Sequence, residues 1–179
     1  MHTFLSRLNA LFAFSLSIVA LLTLAFALST SYKSYDKLAS VELKTVKSLV
    51  RRVHDYNMPD ATENDLGLLQ FNMDANFEDC FDWNVKQLFI YLSANYKTPN
   101  NVLNQVVLWD YVLNRGEKSQ LRLRNQSPEY YMWDDGNGLR ANNNITLTLS
   151  MNIIPNAGFL LTATSPVVHT FSFPEVYSN

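Results

Sequence analysis

An uncharged run of eighteen residues, Leu11 to Leu28, constrains this chain more than any other feature. Its only polar side chains are the hydroxyls of Ser15, Ser17 and Thr23, which can bond back to helix carbonyls. A helix needs about 20 largely apolar residues to cross the hydrocarbon core of a bilayer. Leu8–Ala10 on one side and Ser29–Tyr32 on the other supply the difference. Inside lipid the backbone must satisfy its own hydrogen bonds, so such a run can only be a helix. The reading is a short N-terminal stub over 1–10, a transmembrane signal anchor over 11–28 with edges uncertain by four residues, a link over 29–40 and a β-rich domain over 41–179.

Two fates are open to the apolar run. Arg7 precedes it and Ala25-Phe26-Ala27 resembles a cleavage site, so it could be removed as a signal peptide. Signal-peptide cores run about 7–15 apolar residues, and this one is longer, which favours retention as an anchor. Lys33 and Lys37, with Asp36 between them, oppose Arg7 across the run, so the excess of cytosolic Lys and Arg barely decides orientation. Asn144-Ile145-Thr146 fits the glycan acceptor pattern and points to a lumenal or extracellular C-terminal domain. Asn125-Gln126-Ser127 fits it too, but Pro128 follows directly and disfavours its use.

The charge balance excludes some functions. Of 179 residues, 14 are basic and 16 acidic, and Arg7 is the only Lys, Arg, Asp or Glu before Lys33, so the domain beyond the run is net acidic. A mildly acidic domain whose densest basic spot is Arg51-Arg52 is a poor phosphate binder, so no nucleic-acid partner is expected. Cys80 is the single cysteine, which rules out an intrachain disulfide and suits a small, half-buried apolar role.

Beyond the link, short strands recur. Val41, Leu43 and Thr45 alternate with Glu42 and Lys44, and the register blurs after Val46, where a bulge or helical turn fits. Residues 55–65 are rich in turn formers. Leu69, Phe71, Met73, Ala75 and Phe77 share one face over nine residues, the clearest strand in the chain. Gln87–Tyr96, Gln105–Leu113, Leu121–Arg124, Ile145–Ser150 and Val167–Phe173 are further β-type runs. Asp134-Asp135-Gly136-Asn137-Gly138 carries hairpin signals, and Pro155-Asn156-Ala157-Gly158 reads as a tight turn. The fold class is mainly β: a single N-terminal transmembrane helix followed by a β-sandwich-like domain.

No constellation for chemistry stands out. His54 and His169 are the only histidines in the domain, and neither belongs to a hydrolase or zinc motif. Glu78, Asp79 and Asp82 follow a strand, and Asp134 and Asp135 sit in a turn, where solvation is the simplest role. Catalytic, metal and cofactor residues are accordingly none. Trp83, Trp109 and Trp133 read as core residues before interface ones. Binding or scaffolding is the remaining class, with an enzyme carrying an unrecognised site as the contrary reading.

Phe81-Asp82-Trp83-Asn84-Val85-Lys86-Gln87-Leu88-Phe89, Leu103–Asp110, Asp134–Leu139 and Pro155–Gly158 occur in this order, after Leu5-Ser6-Arg7 and Leu11–Phe14. Together they resemble the subunit 3 family of the eukaryotic signal peptidase complex, over nearly the whole chain but thinly in 39–68 and after Leu161. The resemblance implies a single-pass type II protein of the endoplasmic reticulum with its N-terminus cytosolic and its domain lumenal. It implies a non-catalytic accessory subunit, partnered by the catalytic and other subunits of the complex and touching signal-peptide-bearing nascent chains only indirectly. The glycan then falls at Asn144. Phe81, Trp83, Asn84, Asp135 and Asn137 are the candidate partner contacts. The alternative is a secreted or membrane-tethered β-sandwich binding module.

Glycosidase treatment followed by gel analysis separates these outcomes. A full-length band that shifts on treatment is expected, whereas a shortened species would mean cleavage after Ala27.

Overall fold

The alternation that begins at Leu69 becomes the inner face of a long strand. In a computed structural model, which describes residues 3–37, 39–54, 63–135 and 138–178, β2 (Asn64–Asn76) buries Leu69, Phe71, Met73 and Ala75, with Phe77 just beyond its end. Antiparallel to it runs β1 (Ser40–Val53), which turns Val41, Leu43 and Val50 to the same core. The pairing slips between Thr45 and Lys47, so Val46 is an extra, exposed residue. That bulge is where the sequence alternation breaks, because an inserted residue changes which face each later side chain occupies.

Among the described residues the strands form two four-stranded antiparallel sheets. The first orders β1-β2-β5, with β5 (Gln120–Gln126) on the far side of β2 and β6 (Met132–Asp134) pairing with the start of β2. The second orders β4-β3-β7-β8, from β3 (Val85–Tyr96), β4 (Asn104–Asn114), β7 (Ile145–Pro155) and β8 (Leu161–Phe171). Leu88, Ile90, Leu92, Ile145, Leu147, Leu149 and Met151 face the first sheet's apolar side in one continuous core. Along one flank the outer strands meet. Thr45 N–H donates to His169 Nε2 at 3.0 Å, and Ser48 Oγ donates to the Ser172 carbonyl at 2.9 Å. His169 is thus a satisfied histidine, its Nε2 lone pair committed to the backbone.

The Asp134–Gly138 stretch departs from the sequence reading. It is not a hairpin turn: β6 belongs to the first sheet and β7 to the second, so the chain crosses between layers here. Gly136 and Asn137, like most of the turn-forming segment 55–65, lie outside the described residues. Buried carboxylates draw the chain across. Asp134 accepts from Gly138 N–H (2.6 Å) and Tyr96 Oη (3.0 Å). Asp65 is fully buried and accepts from the N–H groups of Leu139 and Arg140 (both 3.1 Å) and from Tyr177 Oη (2.9 Å). Side-chain acceptors of this kind compete with a strand ladder for backbone donors. Asp134 is therefore not the solvated turn acid its position suggests.

The α1 helix (Phe4–Thr30) extends N-terminally past the apolar run and includes Arg7. Thr3 caps it, accepting from Ser6 N–H at 3.3 Å. Ser17 Oγ and Thr23 Oγ1 bond back to the Ala13 and Val19 carbonyls at 2.9 and 2.8 Å. At about 1.5 Å per residue its 27 residues span roughly 40 Å, enough to cross a bilayer. Nearly all of its side chains are exposed until its last turn.

Replacing Asp65 by Ala strips the acceptor from three donors at the crossover, one buried and two partly buried, and should destabilise the domain by on the order of 3 kcal/mol. Tyr177→Phe removes one donor and should cost about 1 kcal/mol. Thermal unfolding in mild detergent measures both.

Candidate functional site: the seat of the helix on the sandwich

The segment Phe81–Val85 closes the end of the sandwich that meets α1. A 3-10 turn, Glu78–Cys80, leads from β2 into it, placing Glu78 and Asp79 in solvent and Cys80 in the core. Cys80 is fully buried rather than half-buried, and desolvation, with Asp79 beside it, pushes its thiol up to about 12. A thiol held protonated this way is a packing group.

Asn84 is the centre of the seat and is only 2% exposed. Its Nδ2 donates to Thr30 Oγ1 at 2.9 Å and to the Ala157 carbonyl at 2.8 Å, while its Oδ1 accepts from Ala157 N–H at 3.0 Å. The Asn84 carbonyl accepts from Asn156 N–H at 2.7 Å and from Asn156 Nδ2 at 3.1 Å. Thr30, the last residue of α1, is itself buried. One amide therefore joins three elements: the end of the helix, the entry to β3 and the β7–β8 turn. Burying it is tolerable because its hydrogen bonds are made inside the protein.

Asp82 forms a second tie. Its Oδ1 accepts from the N–H groups of Asn84 (2.8 Å) and Val85 (3.1 Å), a side-chain turn that shapes the loop. Its Oδ2 accepts from Lys33 Nζ at 2.9 Å and Tyr35 Oη at 2.8 Å. Burial opposes ionisation of Asp82, but the Lys33 ammonium, the Tyr35 hydroxyl and the Asn84 N–H outweigh it and hold the carboxyl below the usual Asp value. Tyr35 moves the other way: burial first, then the Asp82 carboxylate, raises its phenol well above the ordinary tyrosine value. Arg115 braces the same loop, donating through Nε to the Val85 carbonyl at 2.8 Å and through Nη2 to the Asp82 carbonyl, with its guanidinium 6.0 Å from the Phe81 ring centroid.

The link after α1 is pinned to the sandwich at particular side chains, although most of its described residues are exposed. Tyr35 enters the core, and Asp36 Oδ1 accepts from Thr164 N–H on β8 at 3.1 Å. Trp83 packs edge-on against Phe26 of α1, with ring centroids 5.3 Å apart, and is 53% exposed. The core reading of the tryptophans holds for Trp109 only. Trp83 lies beside the helix, and Trp133, opposite Leu66 on the outward side of β6, is partly exposed.

Phe81, Trp83 and Asn84 thus come together at this seat. Asp135 does not join them: it is exposed beside Asp134, at the far end of β2 from Phe77, and Asn137 lies outside the described residues. Asn144 is exposed just before β7, whose other end, Pro155, is at the seat. Ten residues of strand separate the two, roughly 34 Å. Asn125 is exposed but sits at φ 50° within the β5 pairing, its N–H donating to Asn72 Oδ1 at 2.7 Å. Sequence reasoning missed Thr30, Lys33 and Tyr35, whose signal lay only in their closeness to the helix end. A cleft of about 360 Å³ elsewhere, lined by Lys47, Leu68, Gln70, Pro128, Tyr130 and Tyr131, opens where β2 lies between its pairings with β5 and β6.

The profile of the family described as "Signal peptidase subunit" matches residues 1–176. The chain is 47% identical over 177 residues to Signal peptidase complex subunit 3 of Homo sapiens, covering 99% of this chain and 97% of that protein. It is 47% identical over 178 residues to the protein of the same name in Drosophila melanogaster, with 99% and 98% covered. The Gallus gallus protein of that name is 45% identical over 177 residues, with 99% and 97% covered.

The depressed Asp82 carboxyl gives the seat a pH signature. A group whose pKa is lowered on folding stabilises fully above its unfolded value and loses that contribution as pH falls through the folded one. The stability gap between the native chain and Asp82→Asn should therefore be constant near neutrality and close below about pH 4. Thermal unfolding across the acid range checks it.

Proposed function

This chain belongs to the signal peptidase subunit family, and from that membership we propose that it is a non-catalytic subunit of the signal peptidase complex, holding the catalytic subunit at the lumenal surface of the endoplasmic reticulum membrane. It is membrane-anchored through its N-terminal apolar helix. In the proposed topology α1 crosses the membrane once with its N-terminus in the cytosol, and the sandwich stands in the lumen.

The observation that carries this reading is the seat. Buried Asn84 bonds the last residue of α1 to the sandwich, and Asp82 ties down Lys33 and Tyr35 just after it. A domain fixed to its own membrane helix has a set height and tilt over the lipid. A protease that cuts close to the membrane benefits from a partner with that property, since small misplacements of reacting groups cost large factors in rate. The state of the candidate nucleophiles and bases supports an accessory role: His169 is committed to Thr45, exposed His54 lies 3.3 Å from Glu63, and Cys80 is buried and protonated. The exposure of Asn144, far from the helix, suits a lumenal glycan. Phe81, Trp83, the distal Asp135 and Asn137 remain proposed contacts for the other subunits. Asn84 would act on Phe81 and Trp83 by shaping the loop those two share.

The test uses the assembled complex. Asn84→Ala combined with Asp82→Ala should leave subunits co-purifying in mild detergent while signal-peptide cleavage slows by about 10-fold or more. Unchanged cleavage by an intact complex would show that a rigid seat is not what this subunit provides.

A further inference from the structure

The end of the sandwich that seats α1 also carries Phe159, its most exposed aromatic side chain among the described residues. In the β7–β8 turn, Gly158 has φ +117°, and a Cβ built there would lie 3.5 Å from Ala27 Cβ and 3.7 Å from Ala27 Cα. The turn therefore touches the helix directly. Phe159 and Leu160 follow at once and are 89% and 58% exposed. No charged residue occurs from Ser150 to Leu160.

The level of this turn follows from the helix. Ala27 is the next-to-last residue of the uncharged run. Arg7, the first charge on the opposite side, is twenty residues away, and that separation corresponds to roughly 30 Å of helix, the thickness of the hydrocarbon core. With Arg7 at one boundary, Ala27 lies at the other, and the turn resting on it sits at the same depth. Two further aromatics belong to the same end of the helix: Trp83, half exposed against Phe26, and Tyr32, exposed two residues beyond the helix end. Tryptophan and tyrosine concentrate at the junction of hydrocarbon and headgroups. On the water side, Lys33 is engaged by Asp82.

We propose that Phe159 and Leu160 form a lipid-contacting foot that dips into the boundary between headgroups and hydrocarbon of the bilayer crossed by α1, at the helix end that also carries Trp83 and Tyr32. The sandwich then rests on the membrane at a second point beside its helix. Helix and domain, joined at the seat, can still lean together in the bilayer; a second contact beside the helix restrains that motion. This inference rests on the reading of α1 as a membrane-spanning helix. The occupant is lipid because the exposed apolar tip is continuous with the apolar surface of the helix it touches.

The experiment places an environment-sensitive NBD fluorophore on single introduced cysteines of the full chain in phosphatidylcholine nanodiscs; buried Cys80 is left in place. The sites are Leu160→Cys in the turn, Leu22→Cys within α1, and Val102→Cys in the exposed loop between β3 and β4 at the opposite end of the sandwich. Lipids carry a nitroxide quencher either near the headgroup or deep in the chain. The proposal expects the label at position 160 to shift to shorter wavelength and lose most of its emission to the shallow quencher. The label at 22 should be quenched by the deep one and that at 102 by neither. An unquenched label at 160 beside a quenched label at 22 overturns the foot and leaves the spanning helix intact, assigning the exposed apolar tip to a protein partner instead. Loss of quenching at both 160 and 22 overturns the spanning reading and the foot with it.

Discussion

The buried amide of Asn84 is the constraint on which the placement of this domain depends. An asparagine side chain offers two donors and an acceptor, and burying it without partners would cost several kcal/mol. Here the donors go to Thr30 and Ala157 and the acceptor takes the Ala157 N–H. The groups come from three parts of the chain, so the site is satisfied only when helix, loop and turn are all in place. Hydrogen bonds in a water-poor site discriminate more sharply between right and wrong arrangements than the same bonds at the surface. Asp82 extends this order to the residues just after the helix.

The seat depends in turn on strand register. Val85 lies opposite Pro155 in the β3–β7 pair, which puts Asn84 beside Asn156 and Ala157. A slip of one residue would turn Leu88, Ile90 and Leu92 out of the core, and that penalty holds the register. The apolar interior therefore specifies a polar junction some distance from it. Because β7 runs from the seat to the far end, the molecule is polar in its roles as well. One end grips the apolar helix; the other exposes Asn144, of the Asn-Ile-Thr sequence, and the acid Asp135.

Much of this was legible in the chain. The uncharged run required a helix, and nine residues of alternation at Leu69–Phe77 required a half-buried strand. The bulge at Val46 showed as a break in that kind of alternation. The ordered motifs placed the chain in its family, and Phe81–Asn84 stood out among them. The roles within that motif were not legible. Asn84 looks like any loop asparagine until its partners, 54 and 73 residues away in sequence, are known. The Asp-Gly and Asn-Gly pair of 134–138 misled for a related reason: it signals a hairpin, but the strands on either side belong to different sheets, and buried Asp65 and Asp134 hold the chain between them.

Sequence by itself determined the class of the protein: an apolar helix long enough for a membrane, a succession of alternating strands, and a net acidic domain whose histidines and cysteine belong to no catalytic motif. These are local properties, carried by the chemistry of neighbouring residues and by the periods of helix and strand. Tertiary structure alone decided that the link is pinned to the sandwich at Tyr35 and Asp36, that Thr30, Lys33 and Tyr35 belong to one site with Asp82 and Asn84, and that the turn at Gly158 lies against the helix end. Those facts rest on contacts between residues far apart in the chain. Such contacts depend on the register and layering of the strands of both sheets together, a quantity no local pattern contains.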